Sequence, residues 1–248
     1  MKNNYFYKKS LSNIYKNPSK TSEVISQIIY GEKFNIISKN KNWLKIKTSF
    51  DGYIGYIKND NYVNSFKPTY KIFVLRASIF DKKKKRTKNF LTFASKISVL
   101  QENKKFVEFE KNKWIKKINI KKITYIEKDY LKILELFLDT KYVWGGKTYK
   151  GIDCSAILQL IFYYNNKFFP RDTKDQIKYS KKNIKKDILK KGSIIFWKGH
   201  VAICINSKKL IHAYGPENKV LIMPIRETID RIERTAKLKV KKISSIEY

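Results

Sequence analysis

The sequence predicts a chain that is all-β in its first half and α+β in its second, and three observations carry that prediction. Residues 5 to 64 run in short β-branched and aromatic stretches broken by Asn, Lys, Ser and Gly, as small β-barrels do. Residues 69 to 127 repeat that texture around lysine-rich turns. After Asp129 the apolar period lengthens, with Leu131, Leu134 and Leu138 at helical spacing. At 248 residues the chain exceeds one ordinary domain, and a prior of roughly 150 residues per domain suggests two or three units. We place them at 1–66, 67–127 and 128–248.

In the first unit Val24 to Ile28 precedes Gly31, Phe34 to Ile37 precedes Trp43 to Ile46, and Asp51-Gly52 introduces Tyr53 to Ile57. The alternation has period two, the mark of half-buried strands. The second unit offers Tyr70 to Val74, Ile97 to Leu100, Phe106 to Phe109 and Trp114 to Ile118 as strands. Its Lys82 to Arg86 run reads as a solvated loop, the alternative being a nucleic-acid or localisation patch. In the third unit Cys154, Ile157, Leu158, Ile161 and Phe162 fall at i, i+3, i+4, i+7 and i+8. That spacing predicts a helix with these residues on one buried face and Cys154 in its first turn. Beyond Pro170, Thr173 to Gln176 fits a capping box for a further helix. Ile194 to Trp197, His200 to Ile205, Leu210 to Ala213 and Val220 to Ile225 then read as strands, so helices precede the sheet.

Composition narrows the function classes. Hydrophobic residues make up 42% and aromatics 15%, enough for buried cores beside 31% charged positions. The net charge of +34 has two readings, a lysine-rich composition bias on a solvated surface or contact with a polyanion. No reader motif interleaves aromatic and basic residues, so nucleic acid is not expected as a partner. Two cysteines without Cys-x-x-Cys spacing form neither a disulfide framework nor a metal motif, and we expect no metal and no cofactor. The opening MKNNYFYKKSLSNIYK carries no apolar export signal, and no run of about 18 apolar residues occurs. The expectation is a cytoplasmic protein without membrane insertion. Nothing in the sequence specifies an oligomeric state.

Nucleophilic catalysis by a thiol needs an imidazole to take its proton and a group to orient that imidazole. The chain has two histidines, and both follow Cys154: His200 opens one predicted strand and His212 ends the next. A helix start would lower the thiol pKa through its unpaired N–H groups and dipole, and the same N–H groups would stabilise an oxyanion. From spacing alone, Cys154 is either this nucleophile or a small buried hydrophobe with both histidines satisfied in the core. Local sequence adds to the first reading. Tyr142-Val143-Trp144-Gly145-Gly146, Gly151-Ile152-Asp153-Cys154-Ser155, Lys191-Gly192-Ser193-Ile194-Ile195-Phe196-Trp197, Gly199-His200-Val201-Ala202-Ile203 and Leu210-Ile211-His212-Ala213 follow one another in order. Over about residues 129 to 230 these motifs resemble NlpC/P60 cysteine peptidases, which implies a papain-like α+β catalytic domain.

Carried over by position, the resemblance makes Cys154 the nucleophile, His200 the general base and acid, and His212 the residue that orients His200. Tyr142 matches a family tyrosine near the thiol, either donating in the oxyanion region or packing in the core. Ala156 departs from the glycine usual two places after the cysteine. Asp172, in Pro170-Arg171-Asp172-Thr173, matches a carboxylate that binds a free substrate α-amine in SH3-bearing members, the alternative being a helix cap. Ser155 and Thr173 are expected beside it as substrate contacts. Pro18, Gly31, Trp43 and Asp51-Gly52-Tyr53-Ile54-Gly55-Tyr56 resemble bacterial SH3 domains, one or two of which would precede the catalytic domain. In such relatives the first SH3 domain walls the site with an acid and a tyrosine. Glu32 and either Tyr53 or Tyr56 are the candidates, and Asn17 stands where some relatives have Glu.

The resemblance implies a γ-D-glutamyl-L-diamino acid endopeptidase acting on murein peptides that begin with free L-Ala. Two rivals remain. One is an exported lytic wall hydrolase, and the other is a non-catalytic wall-binding module.

Overall fold

The computed structural model describes residues 4–180 and 188–246 and divides into two compact units. The first comprises residues 1–127 with 144–149, the second 128–143 with 150–248. Residues 1–3, the start of the stretch read for an export signal, lie outside the described residues.

In the first unit, β1 (Asn4–Tyr7), β2 (Leu11–Tyr15), β3 (Val24–Ile29), β4 (Lys33–Asn40), β5 (Trp43–Thr48), β6 (Ile54–Lys58) and β7 (Tyr62–Val63) form one antiparallel sheet in the order β3-β2-β6-β5-β4-β1-β7. The period-two pattern does the sorting: in β5, Leu44, Ile46 and Thr48 point inward while their neighbours do not. Leu44 and Ile46 pack with Tyr7, Ile14, Ile28, Phe34 and Ile57. Gly31 turns the chain at φ +78°, where a Cβ would lie 2.2 Å from the Lys96 carbonyl oxygen, so only glycine fits.

Residues 70–122 build two further sheets. One runs β10-β9-β14-β13-β12, from β9 (Arg76–Phe80), β10 (Arg86–Thr92), β12 (Gln101–Glu102), β13 (Phe106–Glu110) and β14 (Lys113–Lys116). The other is β11-β8-β15, from β8 (Tyr70–Ile72), β11 (Lys96–Ile97) and β15 (Ile120–Lys122). Their core of Ile72, Leu91, Val107, Phe109 and Ile115 also takes in Tyr30 from the first sheet's side. The Tyr30 phenol donates to Glu110 at 2.7 Å, joining the two cores. The lysine run is a turn, with Lys84 Nζ 3.0 Å from the centre of the Trp114 ring.

Residues 144–149, including β16 (Lys147–Thr148), group with the first unit. Lys147 Nζ is 3.0 Å from each Glu32 carboxylate oxygen, its N–H donates to Gln27 Oε1 at 2.9 Å, and Gly145 at φ +72° leaves no room for a Cβ against the Val24 carbonyl. Hydrophobic periodicity has no means of seeing such an ion pair, because it is made of one acid and one lysine 115 positions apart.

The second unit begins with α1 (Tyr130–Glu135), which stops short of Leu138 as the chain passes into turns, the Phe137 and Leu138 N–H groups bonding to Leu134 O and Glu135 O. After β17 (Gly151–Ile152) comes α2 (Cys154–Tyr164). All eleven of its residues are buried, so the helix is enclosed rather than buried on one face as its spacing predicts. α3 (Thr173–Tyr179) starts one residue earlier than a capping box with Thr173 at the N-cap requires, with Asp172 at the N-cap. The Gln176 amide instead donates to the carbonyls of Ser155 and Pro170, both at 2.9 Å. An antiparallel sheet follows in the order β21-β20-β19-β18-β22, from β18 (Ser193–Trp197), β19 (His200–Cys204), β20 (Lys209–Tyr214), β21 (Lys219–Pro224) and β22 (Lys242–Ser245). α4 (Ile225–Ala236) was not anticipated. Its Ile225, Ile229 and Ile232 recur at i, i+4 and i+7 and cover the sheet face carrying Ile195, Trp197, Ala202 and Leu210. Among the described residues no helix is long and apolar enough to cross a membrane.

Candidate active site

Asp153 caps α2 through its side chain, accepting the Ala156 N–H at 2.8 Å from an extended backbone. That cap sets Cys154 at the first helical position, where it is 5% exposed. Its sulfur lies 3.9 Å from the Gly199 carbonyl oxygen and accepts the N–H groups of Val201 and Ser155. Backbone on both sides of His200 therefore holds the sulfur at the start of β19.

His200 and His212 come from β19 and β20, antiparallel neighbours with Ile203 opposite Ile211. Their rings meet, His200 Nε2 standing 2.9 Å from His212 Nδ1. His212 is fully buried and stacks on Tyr214 with ring centres 4.6 Å apart and planes 10° from parallel. Trp197, opposite His200 in the β18–β19 register, borders the pair at 5.5 Å between ring centres. The sequence expectation of neighbouring strands is the geometry found.

The expected lowering of the thiol pKa is not found. Burial pushes Cys154 up to about 12, reinforced by the Asp153 carboxylate and opposed by the Val201 N–H, Arg171 and the Ser155 N–H. Burial also pulls His200 down to about 4. For His212 burial, then the neighbouring His200 and Arg231, pull it to about 2. The helix N-terminus acts on the thiol as expected, and desolvation outweighs it. Both directions favour the uncharged thiol and the uncharged imidazole when no substrate is bound.

Tyr142 sits beside this sulfur. Its N–H donates to Asn218 O at 2.8 Å, its ring packs over Gly215, and its phenol is pushed above its usual pKa by burial, then by Cys154 and Asp153. Ser155 is buried in a polar network that the sequence reading did not find. Arg171 is only 3% exposed, and its guanidinium meets both oxygens of Asp153 at 2.9 and 2.6 Å and the Ser155 hydroxyl at 2.8 Å. The Ser155 hydroxyl also donates to Asp153 at 3.0 Å. This bidentate pair fixes the cap that positions Cys154. The signal was the arginine directly before Asp172, in a motif examined only for its carboxylate. Asp172 is half-buried and makes no side-chain cap on α3, and Thr173 is buried in the first turn.

The candidates in the first unit lie as follows. Tyr53 and Tyr56 are half-buried, the Tyr53 phenol 3.3 Å from Ile25 O and the Tyr56 ring under Lys45 Nζ. Glu32 is 2% exposed and accepts from Lys147 and from the Ile29 N–H at 3.1 Å. Its carboxylate is taken up inside the unit, a packing role that the wall assignment did not foresee. Among the described residues no group of three or more His, Cys, Asp or Glu side chains comes together to hold a metal ion.

Comparison with known proteins agrees with this geometry. Residues 139–235 match the NlpC/P60 family, and residues 14–61 match the bacterial dipeptidyl-peptidase Sh3 domain. The chain is 26% identical over 246 residues to dipeptidyl-peptidase 6 of Lysinibacillus sphaericus, covering 88% of this chain and 90% of that one. It is 32% identical over 109 residues to γ-D-glutamyl-L-lysine dipeptidyl-peptidase of Bacillus subtilis strain 168, covering 41% of this chain and 36% of that one. The crystal structure of an NlpC/P60 family protein from Bacillus cereus ATCC 10987 superposes with a TM-score of 0.82 at 18% identity, over 97% of this chain and 98% of that one. At that identity the likeness is one of fold.

Proposed function

We propose, for a cysteine peptidase whose residues 139–235 belong to the NlpC/P60 family and whose residues 14–61 form a bacterial SH3 domain, that it hydrolyses the γ-D-Glu–diamino acid amide of murein peptides with a free N-terminal L-Ala. The observation that carries the reading is the Cys154 sulfur held by the backbone flanking His200, with His200 hydrogen-bonded to His212 at 2.9 Å.

The chemistry follows from those positions. His200 accepts the Cys154 proton as sulfur attacks the amide carbon, so charge separates only as the carbonyl oxygen becomes an oxyanion. The Ser155 N–H at the start of α2 and the Tyr142 phenol are the donors nearest that oxyanion. His200 returns the proton to the departing amine, leaving a thioester. Water then attacks the thioester, its proton passing through His200 back to sulfur.

Asp172 supports the choice of substrate end. It stands at the N-cap of α3 and makes no side-chain capping hydrogen bond there. A carboxylate facing the L-Ala ammonium would reject peptides whose N-terminus is blocked or extended. The relatives named dipeptidyl-peptidase support the same end-on cut, with release of L-Ala-γ-D-Glu. Recycling in the cytoplasm goes with that substrate, since peptides with a free L-Ala amine are trimmed products rather than strands of the polymer.

The test is incubation of the full chain with L-Ala-γ-D-Glu-meso-diaminopimelate and with its N-acetylated form, beside Cys154→Ala, with products followed by mass spectrometry. Cleavage of the free-amine peptide alone, lost in the variant, is expected. Cleavage of both peptides makes the protein a wall hydrolase, and cleavage of neither makes it a binding module.

A further inference from the structure

The imidazole pair does not end at His212. On the far side of that ring, His212 Nε2 stands 3.3 Å from the sulfur of Met223 on β21. A thioether sulfur accepts hydrogen bonds and has no hydrogen to give. The contact is favourable only if His212 carries its proton on Nε2, because a bare Nε2 would set one lone pair against another. His212 Nδ1 is then the bare nitrogen, and at 2.9 Å from His200 Nε2 it must accept a proton from that atom. His200 in turn is protonated on Nε2 and bare on Nδ1. The tautomer of the base is thereby fixed two groups away.

We propose that Met223 is a positioning residue that acts through its sulfur, locking both histidines as Nε2–H tautomers so that His200 offers a bare Nδ1 to the Cys154 proton. This inference rests on the Cys154–His200 reading above. The register allows the contact: Leu210 lies opposite Met223 and His212 opposite Leu221, which sets His212 and Met223 diagonally on the same face of neighbouring strands. Both residues are nearly or fully buried, so water does not substitute for the sulfur. No other residue donates to or accepts from His212 Nε2 among the hydrogen bonds resolved for the described residues.

A purely packing role predicts otherwise. Met223 also belongs to the apolar cluster with Leu210, Tyr214 and Ile225, and a shape-conserving replacement that fills the same space would leave the enzyme unchanged on that account. The sequence makes the two accounts separable, because the chain has two methionines, Met1 and Met223, and two histidines. Growth of a methionine auxotroph on norleucine replaces the sulfur of Met223, the one internal methionine, by a methylene and leaves both cysteine sulfurs in place. Histidine labelled with nitrogen-15 gives four ring nitrogens, assigned with His212→Gln.

Long-range proton–nitrogen spectra of the full chain at neutral pH are expected to show both rings protonated on Nε2. In the norleucine protein the His212 signals become those of mixed tautomers, and kcat falls about fivefold with KM and thermal midpoint unchanged, the value of one ordinary hydrogen bond. Met223→Gln, which restores an acceptor oxygen, returns both the spectrum and kcat toward wild type. A native His212 protonated on Nδ1, or spectra unaltered by norleucine, overturns the proposal. So does an unaltered kcat. Because the spectra need no substrate, the tautomer assignment succeeds or fails independently of whether the murein peptide is cleaved.

Discussion

The second unit holds two buried thiols that differ in everything except their burial. Cys204 ends β19 at 0% exposure among Ile195, Ala202, Leu210 and Ile243, and Cys154 opens α2 at 5%. Burial pushes both up to about 12. Cys204 sits in an apolar cluster with the Tyr130 phenol nearby, whereas the Cys154 sulfur receives two backbone N–H groups and lies beside the His200 backbone. In this protein the resting acidity of a thiol therefore says little about its use. What sets Cys154 apart is the start of the His200 strand beside its sulfur and backbone N–H donors turned toward it.

The sharpest way to break the comparison is to remove each thiol in turn. Cys154→Ala should lower turnover by about a thousandfold or more, since triad members act as a unit. Cys204→Ala should leave turnover within about twofold while costing about 1–2 kcal/mol through the small cavity it opens. Mass spectrometry of products and thermal unfolding read the two effects. Equal loss of activity in both would erase the distinction drawn above.

Next in size is the support under Cys154, which Cys204 lacks. Asp153→Asn strands the Arg171 guanidinium without its carboxylate and should cost about 3 kcal/mol in urea unfolding. It should also slow turnover, as the α2 cap loosens. A variant as stable as wild type would show that the bidentate pair contributes nothing.

The smallest effects come from protons. His200 titrates at about 4 instead of about 6.5, so kcat/KM should hold through pH 5 and fall as pH drops through about 4. For stability, the unfolded chain binds protons at both histidines below about 6.5, while folded His200 and His212 resist until about 4 and 2. Their contribution is complete above about 6.5 and declines as pH falls through that window. An acid unfolding midpoint that moves lower in His212→Gln would confirm the sign. An acid limb of kcat/KM at pH 6.5 would show that His200 is not desolvated in the free enzyme.

Much of this was legible in the sequence, for reasons that can be named. Period-two runs such as Trp43 to Thr48 declared their strands because one face of each is buried. Cys154, His200 and His212 stood out through the local motifs around them, which resemble NlpC/P60 peptidases, since spacing alone left a buried-core reading of all three open. Three things were hidden. The Arg171–Asp153 pair is polar and eighteen residues apart, so no hydrophobic period reports it. The thiol pKa depends on how thoroughly α2 is enclosed, a property of everything packed around it. α4 was masked by Arg226, Glu227, Asp230, Arg231, Glu233 and Arg234, which crowd its exposed face and obscure the spacing of three isoleucines.

The grouping of residues 144–149 with the first unit carries a consequence for descent. A recombination event that joined a foreign partner at the nominal boundary near residue 127 would leave the Lys147 ammonium without Glu32, and Glu32 without its cation. Either orphan would be a buried charge, and such charges are selected against quickly. The two halves of this gene are therefore expected to be inherited together, their lineages tracing one tree where freely shuffled cassettes would trace two.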